Sequence, residues 1–284
     1  MKTHTSVAAS LFLCTLCLFN LSCSTGEQKR LNCICLIDFS GSLSKDALHG
    51  YIHTISSDIL QNLDERDRLV VLPIDEGAKT EAVKLIFIDM AEKKFSFPSD
   101  GFTHARDRAI KRIREYGVSS AKEIEKELEH QKEARQRFTY YTDIFSALEQ
   151  AAMLIEKETE DSFWRSISRF VRGSKRVIPE NMIVLLSDMI HESGGYTFAK
   201  QSGCDEHETN KILDELKKYN AIPDLSGCKV FINGRTGRSN LQVENIHRFW
   251  VQYFKESKGE LLAYDYDSGH EITSYLLQRR AQGR

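Results

Sequence analysis

Short apolar runs alternate with amphipathic segments along much of the chain. Buried strands are predicted at the continuous apolar runs, which are residues 31–38, 67–75, 84–90, 182–187, 229–233 and 260–266. Amphipathic helices are predicted at residues 44–63 and 246–258, where apolar residues recur at helical spacing. Because strands alternate with helices, the pattern predicts an α/β fold with a doubly wound, mostly parallel sheet covered on both faces.

Two charged stretches interrupt this alternation and are predicted to be helical insertions, at about residues 101–138 and 160–178. The first is dense in charge and sparse in apolar positions, which is typical of a projecting helical hairpin. The second places Trp164 and Phe170 among arginines and lysines, a pattern that predicts a basic amphipathic helix. Such a helix either packs on the domain with its basic side chains in water, which we favour, or lies on a membrane or partner surface.

Residues 1–22 are predicted to be a secretory signal peptide. Lys2 is their only charged side chain, and residues 7–21 form an apolar segment shorter than the roughly 20 residues of a membrane span. Cys23 ends a segment that resembles the lipobox of bacterial lipoproteins. The resemblance implies a lipid on Cys23, a linker at 23–30 and anchoring at the bacterial cell envelope, on its periplasmic or outer-membrane face. An ordinary cleaved signal and a secreted protein are the alternative.

The charge composition narrows the classes of partner. The chain has 39 lysines and arginines against 41 aspartates and glutamates, a formal net charge of −2. Since nucleic-acid-binding domains are usually strongly basic, no nucleic-acid partner is expected. With 41% hydrophobic residues in the chain, residues 31–284 are expected to build one domain around a sizeable core.

The four cysteines that follow Cys23 fall into two pairs. Cys33 and Cys35 lie two positions apart on the first strand, so they share one face and are predicted to be small buried apolar residues. Cys204 and Cys228 flank a predicted helix. They either form a disulfide in an oxidising compartment or stay reduced, and the sequence leaves both alternatives open.

Candidate metal ligands lie where two predicted strands end. Asp38, Ser40 and Ser42 follow the first strand at alternate positions, and a carboxylate with two hydroxyls suits the oxygen coordination of Mg²⁺, although these residues also fill ordinary turns. Asp188 follows a later strand, and the carboxyl ends of parallel strands meet at one edge of a sheet. Two carboxylates brought together there repel each other unless a divalent cation lies between them. Thr142 begins a helix, where it is either an N-cap or a further ligand.

These segments together resemble the metal-ion-dependent adhesion site of von Willebrand factor type A domains, through the motifs Asp38-x-Ser40-x-Ser42, Thr142 with Ala147-Leu148, and Ser187-Asp188. The resemblance covers about residues 31–266 and implies the Rossmann-like fold of that family. It implies that Ser40, Ser42 and Thr142 contact the ion directly, whereas Asp38 and Asp188 act through water or as hydrogen-bond acceptors. It further implies Mg²⁺ as the cation, with Mn²⁺ or Ca²⁺ as alternatives, and a coordination position left open for a partner protein.

From this resemblance we expect a non-enzymatic, divalent-cation-dependent protein-binding module, an adhesion or scaffold protein anchored at the cell envelope. Its partners would be a protein that presents an acidic residue and, through the lipid, the membrane. A metal-dependent hydrolase is an alternative, for which His191 and Glu192 are the nearest candidates for a general base. A further alternative is a scaffold that binds through its inserted helices without metal.

Overall fold

The structure is a computed structural model that describes residues 28–40, 43–74, 86–90, 125–126, 128–129, 141–170, 177–200, 202–234 and 239–282 of the 284-residue chain. The description covers the backbone alone at residues 28, 45, 158–170 and 177. The predicted signal peptide, Cys23, Ser42 and most of the insertion predicted at about 101–138 lie outside the described residues, so those predictions stay predictions.

The central sheet consists of β1 (Gln28–Asp38), β2 (Arg68–Ile74), β3 (Ile86–Asp89), β4 (Val177–Leu186), β7 (Cys228–Asn233) and β8 (Glu260–Asp265). Its strand order is β3-β2-β1-β4-β7-β8, and all neighbouring strands are parallel except the antiparallel pair β2 and β3. A separate short hairpin pairs β5 (Glu192–Ser193) with β6 (Tyr196–Thr197). The predicted fold class, a doubly wound and mostly parallel α/β sheet, is therefore confirmed.

Helices cover both faces of the sheet. One face carries α1 (Lys45–His53) and α5 (Gly269–Gln282), and the other carries α2 (Ile144–Phe170), α3 (Glu206–Lys218) and α4 (Asn240–Glu256). Beyond His53, α1 continues as a π-helical segment, Thr54–Ile59, and ends in a 3-10 turn, Leu60–Asn62. No helix within the described residues combines the length and hydrophobicity that crossing a membrane requires.

Alternate residues of the central strands supply two apolar clusters, one on each face of the sheet. In β1, Cys33 and Cys35 belong to the cluster under α1 and α5, whereas Ile34 and Leu36 belong to the cluster under α2, α3 and α4. Cys33 and Cys35 are fully buried, which confirms their prediction as core residues. Burial on both faces explains why the central strands appear in the sequence as near-continuous apolar runs.

Two boundaries differ from the sequence predictions. Helix α2 runs without a break to Phe170, so the described part of the insertion predicted at about 160–178 extends this helix instead of forming a separate one. Strand β4 begins at Val177, well before the apolar run at 182–187, because its first residues pair with the start of β1. Pairing with an adjacent strand satisfies backbone N–H and C=O groups whatever the side chains are, so a polar segment extends the strand.

A network of ion pairs anchors the C-terminal half of α5 at the amino ends of the strands. The Arg279 guanidinium donates to both carboxylate oxygens of Asp67, at 2.8 and 3.0 Å, and to Glu180 Oε2 at 2.8 Å. The Tyr275 hydroxyl donates to the other oxygen of Glu180 at 2.9 Å. Helix α5 therefore runs between the two edges of the sheet at which the strands begin and end. Its first residue, Gly269, lies at the carboxyl edge.

Candidate functional site

The predicted ligands meet where the direction of chain winding reverses. From β1 the chain passes to β2 on one side, and from β4 it passes to β7 on the other, so the crevice between β1 and β4 is the switch point of the sheet. Ile37 of β1 pairs with Leu186 of β4, which places Asp38 beside Ser187 and Asp188 just beyond it. The sequence prediction that Asp38 and Asp188 share one edge is confirmed by this register.

Asp38 is completely buried and its side chain organises the first loop. Its Oδ1 accepts a hydrogen bond from the Ser40 backbone N–H at 2.7 Å, and its Oδ2 accepts one from the Ser187 hydroxyl at 2.9 Å. Burial raises the pKa of the Asp38 carboxyl to about 6, against the lowering effect of these hydrogen bonds. Asp38 is thus a fixed, buried carboxylate whose charge is costly in the absence of a nearby cation.

Asp188 is 3% exposed, and only one of its two carboxylate oxygens accepts a hydrogen bond from a described residue. Its Oδ1 accepts from the Ile190 backbone N–H at 2.9 Å, whereas its Oδ2 has no hydrogen-bond partner among the described residues. Burial first, and then the negative charge of Asp38, raise the pKa of the Asp188 carboxyl to about 7. The two carboxylates therefore lie close enough to repel each other.

Helix α2 is capped by Asp143 and not by the preceding residue, Thr142. Asp143 caps α2, because its carboxylate accepts from the Ser146 backbone N–H at 3.1 Å and from the Ser146 hydroxyl at 2.8 Å. Thr142 is 3% exposed, and its hydroxyl forms no hydrogen bond with any described residue. Of the two roles the sequence left open, capping belongs to Asp143, and the Thr142 hydroxyl is available to a ligand.

The loop after β4 is held in place by α4 and by the start of α2. The Trp250 indole N–H donates to the Met189 carbonyl at 3.0 Å, which fixes a residue with a left-handed backbone, φ 65°. The Glu192 N–H donates to the Thr142 carbonyl at 3.0 Å. Asp188 and Thr142 are therefore attached to one rigid unit, on which a binding site can keep its geometry.

His191 is buried and both of its ring nitrogens are engaged with backbone groups. The Ile144 N–H at the start of α2 donates to Nδ1 at 3.2 Å, so Nδ1 is an acceptor, and the protonated Nε2 can then donate to the Ser193 carbonyl at 3.1 Å. The ring also packs against Phe145, with centroids 4.2 Å apart. These contacts assign His191 a positioning role between two loops, and they do not present it as a general base.

The donor set fits a small divalent cation. Asp38, Ser40, Thr142 and Asp188 bring only oxygen atoms to one edge of the sheet, and hard cations such as Mg²⁺ prefer oxygen ligands. Among the residues that the structure describes, no cluster of three or more His, Cys, Asp or Glu side chains has metal-binding geometry. A site here would accordingly depend on hydroxyls as much as on carboxylates, as the resemblance to the adhesion site implies.

Sequence reasoning did not assign Tyr51 and Gly234 to the site, although both lie beside it. Gly234 has φ 127°, and a Cβ added to it would overlap the Tyr51 hydroxyl and the Ser187 carbonyl oxygen. The Asn233-Gly234 dipeptide is a turn signal that could have indicated a special backbone. The approach of Tyr51 to this turn had no sequence signal, because α1 and β7 are brought together by the fold alone.

The disulfide alternative for Cys204 and Cys228 is not realised. Both are free buried thiols in the cluster beneath α3 and α4, and the Cys204 Sγ lies 3.3 Å from the Thr209 hydroxyl instead. Burial raises the pKa of each thiol to about 11. Packing of the two side chains as small apolar residues, with little thiolate at neutral pH, accounts for both positions.

Comparisons with known proteins identify neither a family nor a function. No protein-family model and no curated protein matches the chain. The TFIIH p34 N-terminal domain is 12% identical with a TM-score of 0.40, over 89% of this chain and 98% of that domain. Proximal thread matrix protein 1 of the mussel byssus is 13% identical with a TM-score of 0.36, over 88% of this chain and 47% of the mussel protein. Likeness of this degree identifies no function.

The raised pKa values of the two carboxyls predict an unusual pH dependence of stability. The folded protein holds protons on Asp38 and Asp188 up to about pH 6 and about pH 7, whereas the unfolded chain releases them near pH 4. In EDTA, the melting temperature should therefore fall between pH 5 and pH 8, by roughly 2–4 °C for each kcal/mol lost. Thermal unfolding across this pH range measures the slope, and Asp188→Asn should flatten it. An equal slope in that variant would contradict this origin.

Proposed function

We propose that the chain is a non-enzymatic protein-binding module of the von Willebrand factor type A kind, whose binding depends on a divalent cation. The observation that carries the proposal is the pair of free oxygens at the switch point. The Thr142 hydroxyl and Asp188 Oδ2 have no hydrogen-bond partner among the described residues, although both residues are 3% exposed. Neither oxygen is committed to a partner in the described part of the chain, so both are available to a ligand, which supports a cation at this edge of the sheet.

The residues divide the work of holding a cation. The hydroxyls of Ser40 and Thr142, with Ser42 from outside the described residues, would bind it directly. Asp38 and Asp188 would balance its charge, and their mutual repulsion favours a cation over an empty pair of carboxylates. A bound Mg²⁺ would supply a Lewis-acidic position for a carboxylate oxygen from a partner protein. With few anionic ligands from this chain, the ion keeps its affinity for that partner.

Location at the cell envelope is part of the proposal and rests on the sequence. The apolar leader and Cys23 support a lipid anchor, which would place the module at a membrane surface. The helical insertion predicted at about 101–138 would then extend from the same domain and add contacts around the cation. A hydrolase is less well supported, because the ring nitrogens of His191 are engaged with Ile144 and Ser193.

A pull-down from solubilised envelope extract tests this function. Wild-type protein should capture a partner in Mg²⁺ and lose at least about tenfold of it in EDTA or in Asp38→Ala, because removal of a metal-site group costs 10–100-fold in affinity. Asp214→Asn, an exposed charge removal on α3, is the matched control and should capture as wild type does.

Two results distinguish the alternatives to a cation-dependent module. Capture that ignores both EDTA and Asp38→Ala would exclude the metal-mediated mode. If deletion of about residues 102–138 then abolished that capture, the binding surface would be the inserted helices.

A further inference from the structure

A cavity of about 790 Å³ lies at the carboxyl edge of the sheet, and Asp188 of the proposed metal site is one of the residues that line it. Its walls come from α1, the π-helical segment that follows α1, the start of α5 and the turn at Asn233-Gly234. The volume falls within the roughly 300–1,000 Å³ range of pockets that enclose small ligands. The cavity is therefore large enough for a complete side chain and part of its backbone.

Carboxylates outnumber basic side chains around this cavity. Asp46, Asp58, Asp188 and Asp267 line it with the histidines His53 and His270, and no lysine or arginine occurs among the described residues that do so. Two of these carboxylates converge on the first residue of α5, since a Cβ added at Gly269 would lie 2.6 Å from Asp58 Oδ2 and 3.1 Å from Asp267 Oδ1. Four carboxylates against two imidazoles and no lysine or arginine make the interior favourable for a cation.

Two buried polar groups on the cavity wall have unused hydrogen-bonding capacity. The Tyr51 side chain is 5% exposed, and its hydroxyl has no hydrogen-bond partner among the described residues. The Asn233 amide nitrogen donates to the Thr54 hydroxyl at 3.0 Å. The other amide atom, Asn233 Oδ1, accepts no hydrogen bond from a described residue. Both groups are more than nine-tenths buried and border the cavity, so they point independently to a polar ligand.

We propose that this cavity binds an organic cation, a guanidinium or primary ammonium group, presented as the arginine or lysine side chain of a protein partner. The N–H groups of such a cation can donate to Asp58 and Asp267 at one end and to the oxygens of Asn233 and Tyr51 at the other. Charge-assisted hydrogen bonds of this kind are the stronger ones in proteins. Asp188 lines the cavity and also belongs to the proposed metal site, so one partner could present an acidic and a basic residue together.

This proposal rests on the proposed function in one respect, namely that a protein partner supplies the cation. The two carboxylates at Gly269 are not among the proposed metal-site residues, since Asp58 belongs to the π-helical segment after α1 and Asp267 to the loop just before α5. Failure of the metal-dependent function would therefore leave cation binding intact, and failure of cation binding would leave the metal site intact.

Titration with N-acetyl-arginine amide, followed by protein NMR in EDTA, tests the proposal. This probe carries the guanidinium group without a carboxylate, so it cannot act through a metal. We expect saturable shifts centred on the amides of Tyr51, Gly234 and Gly269, and much weaker ones with the neutral isostere N-acetyl-citrulline amide. Asp58→Asn and Asp267→Asn should each weaken binding by about fivefold, the upper range for a partly exposed ion pair.

The variants are chosen to keep the fold. Asn at position 267 retains the acceptor for the Gly269 N–H, which Asp267 Oδ1 receives at 3.1 Å. Asp214→Asn removes the same charge from an exposed site on α3 and should bind the probe as wild type does. Tyr51→Phe, which removes only the hydroxyl, should also weaken binding. It replaces the carboxylate variants as the test if they prove unstable. Equal binding of the citrulline probe, or wild-type affinity in Asp58→Asn, Asp267→Asn and Tyr51→Phe, would overturn the proposal.

Discussion

Asp188→Asn is expected to lower the affinity for Mg²⁺ by about 10–100-fold, the usual cost of losing a group that supports a metal site. The same variant should be at least as stable as wild type when metal is absent. The two effects have opposite signs because the Asp188 charge serves the cation and opposes folding without it. Calorimetric titration with Mg²⁺ measures the first effect, and thermal unfolding in EDTA measures the second.

The asparagine is an apt probe because it preserves the local hydrogen bond. Asp188 Oδ1 accepts from the Ile190 N–H at 2.9 Å, and an amide oxygen can replace it, while the amide nitrogen takes the place of the unpartnered Oδ2. The substitution also removes the charge that is repelled by Asp38. Asp214→Asn should change neither measurement. Undiminished Mg²⁺ affinity in Asp188→Asn would show that this carboxylate does not contribute to cation binding.

Gly234→Ala is expected to destabilise the protein by about 2–5 kcal/mol, from overpacking and an unfavourable backbone conformation together. A Cβ at this position would overlap the Tyr51 hydroxyl and the Ser187 carbonyl oxygen, and φ is 127°, a region that only glycine adopts freely. Ser187 is part of the backbone that supports Asp38, so the displacement should also weaken Mg²⁺ binding. Chemical denaturation monitored by the fluorescence of Trp164 and Trp250 gives the free energy of unfolding.

Gly50→Ala provides a matched control of the opposite sign. Gly50 lies inside α1, and a Cβ there would meet no atom within 4 Å. Since glycine in a helix interior costs roughly 0.5–1 kcal/mol relative to alanine, this variant should be slightly more stable than wild type. A similar loss of stability in both variants would show that close packing at Gly234 is not the cause.

The cap of α2 illustrates which details a sequence motif leaves open. Both Thr142 and Asp143 are suitable caps by residue type, and the sequence placed Thr142 in either role. The structure assigns the cap to Asp143 through Ser146, and the Ser193 hydroxyl donates to the same carboxylate at 3.0 Å. Ser193 is remote in sequence, so the competition between the two residues was decided by a contact that no local pattern contains.

The sequence by itself determined the layered α/β fold and the edge at which Asp38 and Asp188 meet. Both follow from local rules, since apolar runs buried on two faces form parallel strands and such strands end together. Only the tertiary structure decided that Asp143 and not Thr142 caps α2, that His191 is engaged, that Cys204 and Cys228 stay apart, and that Tyr51 faces Gly234. Each depends on side chains brought together from distant parts of the chain, and the packing that joins them is set by the whole core rather than by the neighbouring residues.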